Sequence, residues 1–177
     1  MSRLHEGDTA PSIDLPSLSG EQVELPKSGL LHLQFRRYAG CPICNLHLRN
    51  VARRIGEIEE FGVREVAVFH SNAETMRPFQ GDLPFQVIAD PEKRLYRKFG
   101  VEASFRALLA PRAWVAVAKG LVADHPSGAM TGEGGHLGLP ADFLIDSSGR
   151  IVALKYGKHA DDQWEVDEIL ERARFVR

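Results

Sequence analysis

The chain has 177 residues, 44% of them hydrophobic, with 22 Lys plus Arg against 24 Asp plus Glu and a formal net charge of −2. That length and apolar content suit one globular domain and exclude wholesale disorder. The near-neutral balance argues against a dedicated nucleic-acid binder, and two cysteines are too few for a disulfide-stapled secreted scaffold.

Residues 1–8 carry Arg3, His5, Glu6 and Asp8 and lack the apolar stretch of a signal peptide. The longest apolar run within residues 105–122 is six residues, 113–118. A spanning helix needs about 20. The sequence therefore predicts a soluble, cytoplasmic protein with no membrane partner.

Two short extended pieces are expected at 12–15 and 22–25, around a Ser19-Gly20-Glu21 turn. Leu30, Leu31, Leu33 and Phe35 mark a buried strand over 30–35, which Ala39-Gly40 ends. A helix follows, with Cys44, Leu48, Val51, Ile55 and Ile58 on one face and Gly62 as its stop. Residues 63–69 read as the next strand. Ser71 or Asn72 is placed to cap a helix over 73–79. A strand is expected at 85–89. Asp90-Pro91 then opens a helix over 91–99, closed by Gly100.

Residues 102–139 form an insertion. It reads as a helix or helix pair broken near Pro111, followed by a glycine-rich loop. Its Trp114, Val115, Val117, Leu121 and Val122 suit core packing, the interface of a homodimer or a membrane-surface helix. Strands at 143–145 and 151–156 flank a Ser147-Ser148-Gly149 turn as a hairpin. The last helix is expected over 161–175, with Trp164, Ile169, Leu170 and Ala173 on its apolar side. Alternating strands and helices predict a single α/β domain over 1–177.

The two cysteines stand three apart, as Cys41-Pro42-Ile43-Cys44, where a strand gives way to a helix. A helix N-terminus has unpaired N–H groups and a positive dipole end, so a thiolate there is stabilised. Cys41 lies at the lip of the helix and Cys44 one turn inside. This predicts Cys41 as nucleophile and Cys44 as resolving thiol, joined by a reversible disulfide. Pro42 fits the first helical turn, where its missing N–H costs nothing. His47 completes Cys-x-x-Cys-x-x-His and His136 is a conceivable fourth ligand, but no second cysteine pair is present to build a zinc site. Asn45, not histidine, follows Cys44, which disfavours haem attachment. No metal or cofactor is expected. His32, His70, His125 and His159 are dispersed and read as surface or core residues. The Gly132-Glu133-Gly134-Gly135 stretch lacks the Lys-Ser or Lys-Thr of a phosphate loop.

Several pieces, in order, resemble the AhpC/TSA family (alkyl hydroperoxide reductase and thiol-specific antioxidant), and more narrowly its peroxiredoxin-like branch with a Cys-Pro-x-Cys site. They are Gly7-Asp8-Thr9-Ala10-Pro11, Gly40-Cys41-Pro42-Ile43-Cys44, Ala89-Asp90-Pro91, Phe99-Gly100-Val101, Phe143-Leu144-Ile145-Asp146 and Gly149-Arg150-Ile151. The resemblance implies a thioredoxin-like fold, a central mixed sheet flanked by helices. It also implies a cis Leu139–Pro140 bond beside the dithiol, presenting the Leu139 backbone to an extended substrate. The chain departs from the family in its Tyr38, three residues before Cys41, and its Gln34, seven before. Pro140 stands where the family has an arginine, and Phe35 where thioredoxins carry a buried acid. Arg36, Arg37 and Tyr38 are the residues left to hold the thiolate or donate to a sulfur or peroxide oxygen.

Two functions follow. The first is a thiol-dependent oxidoreductase that reduces peroxides or disulfides, regenerated by a thioredoxin-like protein or a small thiol. The second is a non-catalytic module that senses redox state or binds a partner through its dithiol.

Overall fold

A computed structural model describes residues 2–101 and 138–176. The readings made for the 102–137 segment, including Trp114, His125 and His136, lie outside the described residues. Among the described residues twelve elements run in chain order. They are β1 (Ile13–Pro16), β2 (Gln22–Leu25), β3 (Leu30–Phe35), α1 (Pro42–Arg53), α2 (Ile55–Glu60), β4 (Val63–Phe69), α3 (Ala73–Gln80), β5 (Gln86–Ala89), α4 (Arg94–Lys98), β6 (Ala141–Ile145), β7 (Ile151–Tyr156) and α5 (Val166–Arg174). No helix among the described residues is long and apolar enough to cross a membrane.

β1 and β2 form an antiparallel hairpin, and the other strands form a mixed sheet in the order β5-β4-β3-β6-β7. β3, β4 and β5 are parallel; β6 and β7 run antiparallel to their neighbours. This is the thioredoxin-like arrangement that the family resemblance implied. The period of two splits β3 between two environments. Leu31, Leu33 and Phe35 enter a core with Val66, Val68, Phe99, Phe143 and Ile145. Each such side chain contributes about 1.5–3 kcal/mol by leaving water. His32, Gln34 and Arg36 alternate with them and are also fully buried.

The expected single helix after the dithiol is two. Arg54 separates α1 from α2 with φ −111° and ψ 18°, and its N–H bonds the Val51 carbonyl at 3.0 Å, a tightened turn. Its guanidinium is tied to Glu57 at 2.7 Å and to Asp167 of α5 at 2.8 Å. α4 is shorter than the expected 91–99 helix because Lys93 takes a left-handed φ of 56°. The Asp90 carboxylate reaches past that turn to accept from the Arg94 and Leu95 amides, both at 2.8 Å. α5 also starts later than expected, at a capping box between Glu165 and Glu168.

Candidate active site

The end of β3 feeds the loop that carries the dithiol. Gly40 adopts φ +72°, a left-handed conformation that a side chain disfavours, and it turns the chain directly into Cys41. Cys41 is the residue before α1, Pro42 fills the first turn, and Cys44 lies one turn inside. The Cys41 N–H donates to the Tyr38 carbonyl at 3.2 Å. The Ala39 N–H donates to Ser71 Oγ at 2.9 Å. Of the two expected cap candidates, Asn72 holds the cap position of α3 and Ser71 braces the dithiol loop.

Both thiols are free and buried, with Cys41 at 0% and Cys44 at 2% exposure. Tyr38, Ala39, Ile43, Leu48, Met76 and Ala160 share their apolar cluster. Burial alone raises a thiol pKa. At Cys41 that effect is outweighed by a hydrogen bond from Cys44, the charge of Arg37 and the Cys44 and Ile43 amides, which bring it down to about 7. Arg37 Nη1 donates to Cys41 Sγ at 3.7 Å. Cys44 moves the other way: burial, and its role as hydrogen-bond donor to Cys41, push its thiol well above the usual range. The two sulfurs are thus differentiated into a ready thiolate and a held proton.

Tyr38 is buried beneath the Arg37 guanidinium, 5.4 Å from its ring centroid. Burial, then the Cys41 charge, raise the phenol to about 12, so it stays protonated and able to donate. His70 is also at hand. Its backbone amide donates to the Arg37 carbonyl at 3.4 Å and its ring meets Tyr96 edge-on. A Cβ on Gly138 would lie 2.9 Å from His70 Nε2 and 3.8 Å from Arg37 Cγ, so the chain entering β6 passes close to both.

That chain corrects one expectation. The cis peptide bond among the described residues is Leu25–Pro26; Leu139–Pro140 is trans. Pro140 runs straight into the ladder: its carbonyl accepts from the Gly157 N–H at 2.9 Å and its ring rests against Gly157. Leu139 is buried at 7% exposure, so its backbone is not presented by a cis turn.

Arg36 and Arg37, adjacent in sequence, have separate tasks. Arg36 enters a buried polar cluster under α1. Its Nη2 donates to Asp142 Oδ1 at 2.7 Å and to His47 Nε2 at 3.1 Å, and its Nε to Gln34 Oε1 at 2.7 Å. Gln34 Nε2 donates to Glu65. His32 bridges the two acids, with Nδ1 at 2.7 Å from Glu65 and Nε2 at 3.3 Å from Asp142. Burial lowers the His32 pKa, but Glu65 and Asp142 prevail and lift it to about 9. Asp142 is held well below the usual carboxylate range despite burial, by Arg36 and His32. Phe35 stands where thioredoxins carry a buried acid; the buried acids here are Glu65 of β4 and Asp142 of β6, tied to His32, Gln34 and Arg36. The sequence reading passed over them, and took His32 as a surface or core residue. Among the described residues, no group of three or more His, Cys, Asp or Glu side chains is arranged to hold a metal.

Solved structures share this architecture. Peroxidoxin BcpB from Mycobacterium tuberculosis matches at 17% identity over 99% of both chains, with a TM-score of 0.67. A putative thiol:disulfide interchange protein DsbE from Chlorobium tepidum matches at 22% identity over 98% of this chain and 97% of its own, with a TM-score of 0.61. A peroxiredoxin-like protein from Aquifex aeolicus matches at 14% identity over 100% of this chain and 90% of its own, with a TM-score of 0.70. No curated protein sequence matches the chain. The family model AhpC/TSA matches residues 7–154, which span β1 to most of β7 and include both cysteines. The chain belongs to the AhpC/TSA family.

Proposed function

We propose that the protein is a thiol-dependent oxidoreductase whose Cys41 and Cys44 cycle between dithiol and disulfide. The observation that carries this reading is the Arg37 guanidinium 3.7 Å from Cys41 Sγ at the head of α1, which favours a thiolate there, with Cys44 held one turn inside as its hydrogen-bond donor. A nucleophile needs the thiolate, and a resolving thiol tolerates keeping its proton.

With a peroxide, the Cys41 thiolate attacks one oxygen; the oxygen–oxygen bond breaks, giving a Cys41 sulfenic acid and, with one proton, an alcohol or water. Cys44 then attacks that sulfur, releasing water and closing the Cys41–Cys44 disulfide. With a disulfide, Cys41 forms a mixed disulfide and releases one thiolate; Cys44 displaces the second thiol. Two equivalents of an external thiol, or one dithiol protein of thioredoxin type, restore the starting state. Arg37 holds the thiolate, and the protonated Tyr38 phenol in the same apolar cluster is a candidate donor to a leaving oxygen or sulfur. A single domain over 1–177, a cytoplasmic setting and a homodimer belong to the same reading.

The deciding experiment mixes the reduced protein rapidly with hydrogen peroxide and, separately, with a small disulfide. Loss of both thiols faster than a free cysteine reacts supports the proposal and names the oxidant. Rates no better than free cysteine with both overturn it. That outcome favours the second reading, a redox-sensing or partner-binding module, which the burial of both sulfurs also suits.

A further inference from the structure

The segment that leaves β3 grips the dithiol helix at two levels. Arg37 reaches Cys41 Sγ at 3.7 Å, before the first turn of α1. Arg36 reaches His47 Nε2 at 3.1 Å, six residues further on. At 1.5 Å per residue those grips are about 9 Å apart along the helix. Arginine only donates, so His47 Nε2 accepts and the ring proton sits on Nδ1. Arg36 has little freedom to retreat, since Asp142 and Gln34 hold its other donors.

Resting on the reading of Cys41 as the reacting thiol, we propose that His47 is a positioning residue of the dithiol. By accepting from Arg36 it fixes the first two turns of α1 against the segment that leaves β3, and so sets how closely the Ile43 and Cys44 amides and Arg37 face the Cys41 sulfur. Its surroundings suit a neutral acceptor. Burial and the Arg36 charge hold the imidazole well below 6.5; Asp142 of β6 opposes them and His32 of β3 reinforces them. The partners of His47 are the buried cluster, not the surface, since it is 5% exposed. Its neighbours on the inner face of α1, Leu48 and Val51, are apolar and make no such bond. A polar group among them is costly unless it is paired; the Arg36 bond pairs Nε2, while Nδ1 has no hydrogen-bond partner among the described residues, so the Arg36 bond is the contact that orients the ring.

The test compares His47→Leu and His47→Gln in the reduced, full-length protein. The readouts are Cys41 ionisation from ultraviolet thiolate absorbance and its alkylation rate from peptide mapping. His47→Leu removes the acceptor at similar volume; Cys41 should ionise about one unit higher and alkylate about fivefold more slowly at pH 7. His47→Gln supplies an amide oxygen to Arg36 and should stay within about twofold of the parent. A folded His47→Leu protein with unchanged Cys41 ionisation overturns the proposal, as does a Gln variant as slow as the Leu one. Should the Leu variant not fold, nitrogen NMR of the unaltered protein decides: a ring proton on Nδ1 supports the assignment, and one on Nε2 overturns it. None of these readouts needs turnover. A Cys41→Ser protein that remains catalytically active overturns the enzymatic role of Cys41 and leaves the tautomer result standing.

Discussion

Arg37 and Cys41 are four residues apart in sequence and joined by a charge-assisted hydrogen bond of 3.7 Å. The guanidinium counts among the causes that bring the buried thiol down to about 7. Arg37→Met keeps the stem and removes the charge. The Cys41 pKa should rise by roughly 1 unit, and alkylation at pH 7 should slow accordingly. A pH titration of thiolate absorbance in parent and variant checks this.

Cys44 donates its S–H to Cys41 and is itself difficult to ionise. In Cys44→Ser the first attack should persist while the reaction halts at a Cys41 sulfenic acid or mixed disulfide. In Cys41→Ser the remaining thiol should be inert at neutral pH. Intact-mass spectrometry after brief oxidant exposure distinguishes the two outcomes.

His32 connects acid residues from two strands, and its pKa rises from 6.5 to about 9 on folding. A group raised on folding stabilises fully below its unfolded pKa and loses that contribution as pH climbs through the folded value. Stability should therefore fall between about pH 6.5 and 9, by an amount on the order of 3 kcal/mol. Urea denaturation at pH 6, 8 and 10, compared with a His32→Gln protein, measures it; the variant should show a flatter profile.

Asp142 accepts from Arg36 at 2.7 Å, faces His32 at 3.3 Å and accepts the Trp164 amide at 3.1 Å. Asp142→Ala leaves two buried cationic side chains without that partner. The expected loss is about 3–5 kcal/mol, read by chemical denaturation.

Two glycines should respond with opposite sign to alanine. A Cβ at Gly157 would meet the Asp162 carbonyl and the Pro140 ring, each at 2.7 Å. The backbone there must shift, at a cost of about 1–3 kcal/mol. Gly56 lies in α2 with nothing within 4 Å of such a Cβ, and alanine should stabilise by about 0.5–1 kcal/mol. Paired thermal melts suffice.

Local pattern carried much of this molecule into view. The bounds of β2, β3, β4 and β7 follow from short runs whose alternation or bulk is readable in place. The Cys41–Cys44 spacing, the nearby Arg37 and the helix start all lie within a few residues of one another, so their geometry was legible. The division at Arg54 was not, because the apolar spacing continues through it and the ion pair that anchors it comes from Asp167, far along the chain. The buried cluster was hidden for the same reason: His32 and Asp142 are 110 residues apart. A signal did exist. His32 and Gln34 interleave with Leu31, Leu33 and Phe35 in a strand buried on both faces, Glu65 interrupts an apolar β4, and Asp142 precedes Phe143. Each is a charge or amide that a central strand can hold only with partners on its neighbours.

The bond from the Ala39 amide to Ser71 Oγ links the dithiol loop to the end of β4 through one proton. Any rearrangement that draws Cys41 toward a partner must pull on that amide. Its solvent-exchange rate therefore becomes a gauge of the loop's excursions, readable without a substrate or an added label. A serine hydroxyl in that place also means that an alanine there would loosen the gauge while leaving both sulfurs chemically intact.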